Sequence, residues 1–185
     1  MFSAILCDMD GTLIETEYAN ASAYCESLKK YSIHIDVETF IDKYAGMSWR
    51  TFIPMICPTI DEKKCEIIAR EKKIIYKTKL SETRLKLNVI QMVQELGQTK
   101  KVALVTTASR EAVDDLLTYH EIQHLFDHVI TGDDVNDPKP HPEPFLLAAK
   151  QMQVDIENCI ILEDSPIGIS SARKTGATVL IVDHE

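Results

Sequence analysis

Apolar and β-branched residues gather in five short runs along the chain, at residues 2–7, 102–105, 129–131, 160–162 and 179–182. Each run is too short for a helix and reads as a strand. Between the later runs, apolar positions recur every three or four residues, which predicts helices over 109–119, 143–152 and 167–175. Ser109 suits an N-cap, Pro142 a first helical turn and Gly176 a C-cap. Strands alternating with helices predict an α/β protein whose parallel sheet is covered on both faces, with right-handed crossovers.

The stretch 15–83 breaks this rhythm. Its segments 17–30, 37–44, 48–56 and 61–79 carry helical spacing, with no convincing strand among them. A helical domain over 15–83 is therefore expected, inserted into a core made of 1–14 and 84–185 and joined to it near 12–15 and 81–87. The first core helix then runs over 87–96 and stops at Gly97. No internal repeat or low-complexity tract is present.

Composition narrows the setting. Of the 185 residues, 45% are hydrophobic and 26% charged, as in ordinary globular proteins. No run of about 18 apolar residues exists, and the N-terminus lacks the basic flank, apolar stretch and cleavage site of a signal peptide, so a cytoplasmic protein is expected. The five cysteines are odd in number and form no CxxC pair, which reads as reduced thiols. A net charge of -9 argues against nucleic-acid and anionic-membrane partners. It leaves room for a small phosphorylated metabolite, because a bound cation and a few basic groups reverse the sign within one pocket. A monomer is expected.

Candidate chemistry lies where the strands end. In an open parallel sheet, ligands bind beyond the carboxyl ends of the strands. Asp8 and Asp10 follow the first strand, Thr106 and Thr107 the second, Lys139 the third within "DPKPHPEPF", and Glu163 and Asp164 the fourth. Taken singly these residues are bland, since a DxD after a strand is commonly a turn or helix cap. Their order at successive strand ends carries the signal. Crowded carboxylates raise one another's pKa unless a cation sits among them, and Mg²⁺, with its preference for a few carboxylates plus water and substrate oxygens, is the natural neutraliser. Asp8, Asp164 and Glu163 are the candidate holders. An ionised Asp8 could attack phosphorus to form an aspartyl-phosphate, with Lys139 balancing charge. Thr106 and nearby N–H groups would hold the phosphoryl oxygens. Asp10 would protonate the leaving alcohol and then activate water, while Gly11 lets the chain turn so that both aspartates face one substrate.

Read together, "DMDGT" (Asp8, Asp10), "VALVTT" (Thr106), "DPKPHPEPF" (Lys139) and "ILEDSPIGISSARKTGA" (Glu163, Asp164) resemble, in order and spacing, the four motifs of the haloacid dehalogenase-like (HAD) hydrolase superfamily. The resemblance covers nearly the whole chain. It implies a Rossmann-like core, an inserted helical cap, Asp8 as nucleophile, and Mg²⁺ held by the Asp8 side chain, the Asp10 backbone carbonyl and Asp164. "DSPIGISSARKTGA" and "KPHPEPF" look like the branch of β-phosphoglucomutase, phosphoglycolate phosphatase and small sugar-phosphate phosphatases. Within that branch "YAGMSWR" resembles the cap loop that meets substrate, which implies substrate contacts from Gly46, Ser48 and Arg50, with Thr107 beside them; Arg50 would grip a distal anion in a forked contact.

Some positions depart from the pattern. Dehalogenases of the superfamily lack an Asp at the place of Asp10, so carbon–halogen hydrolysis is not expected. Asn20 stands where the mutase pattern resembles a histidine, and Trp49 interrupts the mutase-like loop. The chain reaches Glu185 soon after the fifth strand, where relatives usually continue through a glycine turn and a helix. The expected function is a Mg²⁺-dependent phosphatase acting on a sugar phosphate or phosphoglycolate-like ester through an aspartyl-phosphate. The alternatives are a mutase of the β-phosphoglucomutase type and a binding protein without turnover.

Two other readings are weaker. "HEIQH" at 120–124 matches the zinc-peptidase motif, but it needs a continuous helix, and the helix from Ser109 is expected to end near His120. A signalling receiver domain also combines acids, Thr and Lys on a parallel sheet, yet it would lack a helical insertion after the first strand.

Overall fold

The computed structural model describes residues 2–183. Its main sheet has five parallel strands, β1 (Ala4–Cys7), β4 (Lys101–Val105), β5 (His128–Ile130), β6 (Cys159–Glu163) and β7 (Thr178–Ile181), in the order β5-β4-β1-β6-β7. Between the first two of these the chain forms β2 (Ile14–Glu15), α1 (Glu17–Lys29), α2 (Val37–Tyr44), α3 (Trp49–Ile56), α4 (Glu62–Tyr76), β3 (Arg84–Leu85) and α5 (Leu87–Gly97). Helices α6 (Arg110–Tyr119), α7 (Glu143–Gln151) and α8 (Pro166–Arg173) alternate with the later strands. The sheet is thus the α/β, Rossmann-like arrangement expected from the strand–helix alternation.

The residues explain the order. β1 is buried along its whole length and pairs with β4 on one side and β6 on the other, so it lies at the sheet's centre. From β1 the sheet grows through β4 to β5, then reverses to β6 and β7. This reversal opens a crevice at the carboxyl end of β1, where Asp8 follows. On one side of the sheet, Leu6, Ala103, Val105, Ile130 and Ile161 pack with Phe145, Ala148 and Met152 of the α7 region. Small residues at Ala103 and Ala148 let helix and sheet approach closely.

Contacts divide the chain into two compact units, Thr16–Arg84 and the remainder. The regular elements of the Thr16–Arg84 unit are α1 to α4 and one short 3₁₀ turn, with Arg84 in β3, and the unit has a core of its own, with Leu28, Phe40, Phe52, Ile53 and Ile68 buried together. Tyr24, Phe40 and Phe52 stack around one another with ring centroids 4.9–5.5 Å apart. Inside it the Ser27 hydroxyl donates to the Ile68 carbonyl at 2.9 Å, tying α1 to α4.

Several boundaries differ from those read in the sequence. The two short strands β2 and β3, which pair with each other, have too few residues to carry a periodic signal. α4 ends at Tyr76, where Thr78 and Lys79 turn back onto the Ile75 and Tyr76 carbonyls. Gly97 is the last residue of α5 and Gln98 its C-cap. Gly176, with φ +82°, lies past the α8 C-cap at Lys174 and turns the chain into β7. Ser109 is the N-cap of α6 by backbone conformation, without a side-chain capping bond. All five cysteines are free thiols, and among the described residues no helix is long and apolar enough to cross a membrane.

Candidate active site

The turn after β1 is built by its own backbone. Leu13 and Ile14 donate to the Met9 carbonyl, and Gly11, at φ +85°, donates to the Ile14 carbonyl. The positive φ is the reason for a glycine between Asp10 and Thr12. Met9 turns into the core, fully buried, so Asp8 and Asp10 fall on the opposite face from it.

Asp8 is buried and meets Lys139, whose ammonium donates to Asp8 Oδ1 at 2.6 Å, to Glu163 Oε1 at 2.7 Å and to the Val105 carbonyl at 2.8 Å. All three Lys139 protons therefore have acceptors, and the ammonium also lies 4.8 Å from the centre of the Phe145 ring. Burial is the largest push on the Asp8 carboxyl, Lys139 pulls it back, Glu163 and Asp10 add to the push, and the balance is a pKa raised to about 7. For Lys139, burial works against the charge, but the Asp8 and Glu163 carboxylates outweigh it and raise the ammonium above its ordinary value.

Glu163, fully buried, serves four donors: Lys139 on Oε1, and the N–H of Asp164, the N–H of Ser165 and the Ser165 hydroxyl on Oε2. Its carboxylate is an anchor joining β6 to Lys139. Asp164 is half-buried and accepts the Thr12 hydroxyl on Oδ1 at 2.6 Å. Ligand atoms of Asp8, Glu163 and Asp164 lie within 4.8 Å of one another. Three hard carboxylates beside a single ammonium form a donor set that fits a hard divalent cation. Asp164 approaches this group from the loop that precedes α8, and Asp10 lies half-buried at the turn.

Thr106 closes β4. It is buried, its N–H donates to the Ile130 carbonyl, and its hydroxyl accepts from the Ala108 N–H at 3.1 Å. Thr107 is exposed. The loop that holds both is braced by the next one: Gly132 donates to the Ala108 carbonyl, and a Cβ at Gly132 would stand 2.5 Å from the Thr107 oxygen. Arg110 completes the brace with its side chain on the Asp134 carboxylate and the Val129 carbonyl.

The other residues named from the sequence lie in the helical unit. Gly46 has φ +76° and is exposed. Ser48 caps α3, its hydroxyl accepting the Arg50 N–H at 3.3 Å. The exposed Arg50 guanidinium stacks over Trp49 at 4.1 Å. Asn20 donates to the Thr16 carbonyl and accepts from the Lys72 ammonium. The HEIQH segment is not a helix: α6 ends at Tyr119, and Glu121 takes φ +58°. His120 and His124 belong to neither group of metal-capable side chains among the described residues; the second such group, Asp137, His141 and Glu143, lies at the surface where α7 begins.

Thr12, Ser165, Gly132, Arg110 and Gly168 had not been singled out as site residues. Thr12, Ser165 and Gly168 lie inside the motifs, so their position is visible in the sequence and their role is not. Gly132 acts through close backbone approach and Arg110 through side-chain partners that only the fold brings together.

Comparison with known proteins agrees with this arrangement. A model of the haloacid dehalogenase-like hydrolase family matches residues 5–182. Fructose-1-phosphate phosphatase YqaB of Escherichia coli is 29% identical over 95% of this chain and 93% of its own length. Pyrophosphatase PpaX of Bacillus cereus is 30% identical over 97% and 82%. The solved β-phosphoglucomutase of Clostridium difficile superposes with a TM-score of 0.77 at 26% identity, covering all of this chain and 86% of that one. With its acid cluster at the end of a central parallel strand and the family match running almost from end to end, the chain belongs to the haloacid dehalogenase-like hydrolases.

Proposed function

We propose that this hydrolase is a phosphatase that cleaves a small phosphate ester, a phosphorylated sugar or organic acid, through a phosphorylated Asp8. The observation that carries the reading is the buried Asp8–Lys139–Glu163 array. A carboxylate fixed by one ammonium, in a place where burial raises its pKa to about 7, is poorly solvated and ready to act as nucleophile.

In this reading the Asp8 oxygen forms a bond to phosphorus as the bond to the leaving alcohol oxygen breaks, and Asp10 gives that oxygen its proton. Asp10 then takes a proton from water, which attacks the aspartyl-phosphate and frees inorganic phosphate and Asp8. Lys139 stays protonated throughout, holding Asp8 in line. Thr106, with the backbone N–H groups after β4, meets the phosphoryl oxygens; Thr107 lies in the same loop. Asp8 and Asp164, with the Asp10 carbonyl, would hold Mg²⁺, and Glu163 supports them through Lys139. When bound, that cation supplies positive charge to the phosphoryl oxygens. In the helical unit, Arg50, with Gly46 and Ser48 at its helix start, is the group we assign to a distal anionic group of the substrate.

Similarity to a fructose-1-phosphate phosphatase supports the substrate class. The likeness to a β-phosphoglucomutase favours mutase chemistry as the second reading. Asn20 weighs against it, because an amide held by Thr16 and Lys72 has no proton to exchange near neutral pH.

The test is phosphate release from a panel of sugar phosphates, phosphoglycolate and pyrophosphate, with Mg²⁺ or chelator. Release is expected only with Mg²⁺, and Asp8→Asn is expected to lower it by roughly 10⁴-fold or more without unfolding the protein. Wild-type rates in that variant would defeat the nucleophile assignment. Interconversion of hexose phosphate isomers without net release would favour the mutase.

A further inference from the structure

Gly168 occupies a helical position where glycine has no local advantage. It is the third residue of α8, and its φ is not among the positive values of the chain. Alanine is the better helix former at such a place. The reason for glycine lies in space. A Cβ at Gly168 would fall 1.7 Å from Oε1, 2.0 Å from Cδ and 2.3 Å from Oε2 of Glu163. The carboxylate sits where a methyl group would be.

A free side chain would swing aside from such a methyl. Glu163 has nowhere to go, being fully buried and held by four donors, of which Lys139 at 2.7 Å is one. The Ser165 hydroxyl links the parts, donating to Glu163 Oε2 and accepting the Gly168 N–H at 3.1 Å. The same helix also holds the segment that carries Lys139. The buried Ser171 hydroxyl donates to the His141 carbonyl at 2.6 Å, and Lys174, just past the helix, donates to the Pro140 carbonyl at 2.8 Å.

We propose that Gly168 is a positioning residue: its missing side chain forms the niche for the Glu163 carboxylate, and through Glu163 it sets Lys139 against Asp8. α8 thereby acts as a jig, fixing the carboxylate at its start and the Lys139 segment at its end. The consequence for turnover rests on the phosphatase reading. The packing itself does not.

The experiment is a thermal double-mutant cycle on the full chain, comparing wild type, Gly168→Ala, Glu163→Ala and the double variant. Gly168→Ala is expected to lower Tm by about 5 °C in the wild type, from forced overpacking of a fixed group. In the Glu163→Ala background the same change should raise Tm by about 2 °C, since only its helix propensity remains. Equal shifts in both backgrounds would overturn the niche. If Gly168→Ala does not fold while Glu163→Ala does, a folded double variant supports the proposal and an unfolded one refutes it.

With p-nitrophenyl phosphate, folded Gly168→Ala should lose roughly 100-fold in kcat with KM little changed, and the double variant should be no slower than Glu163→Ala. A wild-type kcat in folded Gly168→Ala would reject the positioning role. Absence of phosphate release by the wild type would instead defeat the phosphatase reading, with the thermal cycle still deciding the niche.

Discussion

The two units of this chain bury different things. Among its described residues the sheet unit buries three charged side chains, Asp8, Lys139 and Glu163, tied by hydrogen bonds of 2.6 and 2.7 Å. In the helical unit the buried polar residues are hydroxyls only, Thr16, Ser27 and Thr83, and its core is aromatic and aliphatic. The sheet unit is therefore specified near its active site by electrostatics, which tolerates no lost partner. The helical unit is specified by shape, which tolerates moderate exchange of volume.

Removal of the buried cation breaks the comparison most directly. Lys139→Ala leaves Asp8 and Glu163 buried without their cation and should cost roughly 4–5 kcal/mol in urea unfolding. Lys139→Met, of similar size, should cost nearly as much; a cost under about 1 kcal/mol would show that packing dominates there as well. Phe52→Ala should cost about 3 kcal/mol through the cavity it opens among Tyr24, Phe40 and Tyr44. Phe52→Leu should recover most of that loss, as expected where volume decides.

The smallest effect is read from pH. The folded pKa of Asp8 is raised to about 7 by burial, so between pH 4 and 7 the folded chain keeps a proton that the unfolded chain has lost. Its contribution to stability is neutral below about pH 4, falls as pH rises, and is fully unfavourable above about pH 7. In chelator, Asp8→Asn should therefore raise Tm at pH 8 and leave it unchanged near pH 4. Asp36 of the helical unit has the opposite sign. Its carboxylate caps α2, and hydrogen bonds from the Thr39 N–H and hydroxyl hold its pKa below the usual range, so Asp36→Ala should destabilise above about pH 4 and lose its effect in acid. A Tm difference that stays constant from pH 4 to 8 for Asp8→Asn, or from about pH 5 down to about pH 2 for Asp36→Ala, would reject the respective assignment.

The strand–helix alternation was legible because buried parallel strands are written as plain apolar runs, and because Asp8, Thr106, Lys139 and Asp164 each follow one of them. The short pair β2 and β3 was not, since two residues make no period. Glu163 was legible as an acid at the site, but its service to four donors is a matter of three-dimensional aim. Gly168 lay inside a recognised motif and still gave no hint, because a glycine required for space looks in sequence like one required for a turn. Arg110 reads as a helix-start cation, and only the fold brings Asp134 and the Val129 carbonyl to its side chain.

The central place of β1 has a consequence in time. Ala4 pairs with Lys101 on one side and Cys159 on the other, so the earliest of the five strands along the chain gains its second neighbour only when β6, the fourth of them, has been made. At about 5–20 residues per second, its apolar backbone waits roughly ten seconds or more for both neighbours. The contiguous helical unit can fold during that interval. Asp8 gains Lys139, Glu163 and Asp164 only once β6 and the loop after it have been made, so a shorter nascent chain carries that carboxyl without the groups that surround it in the fold.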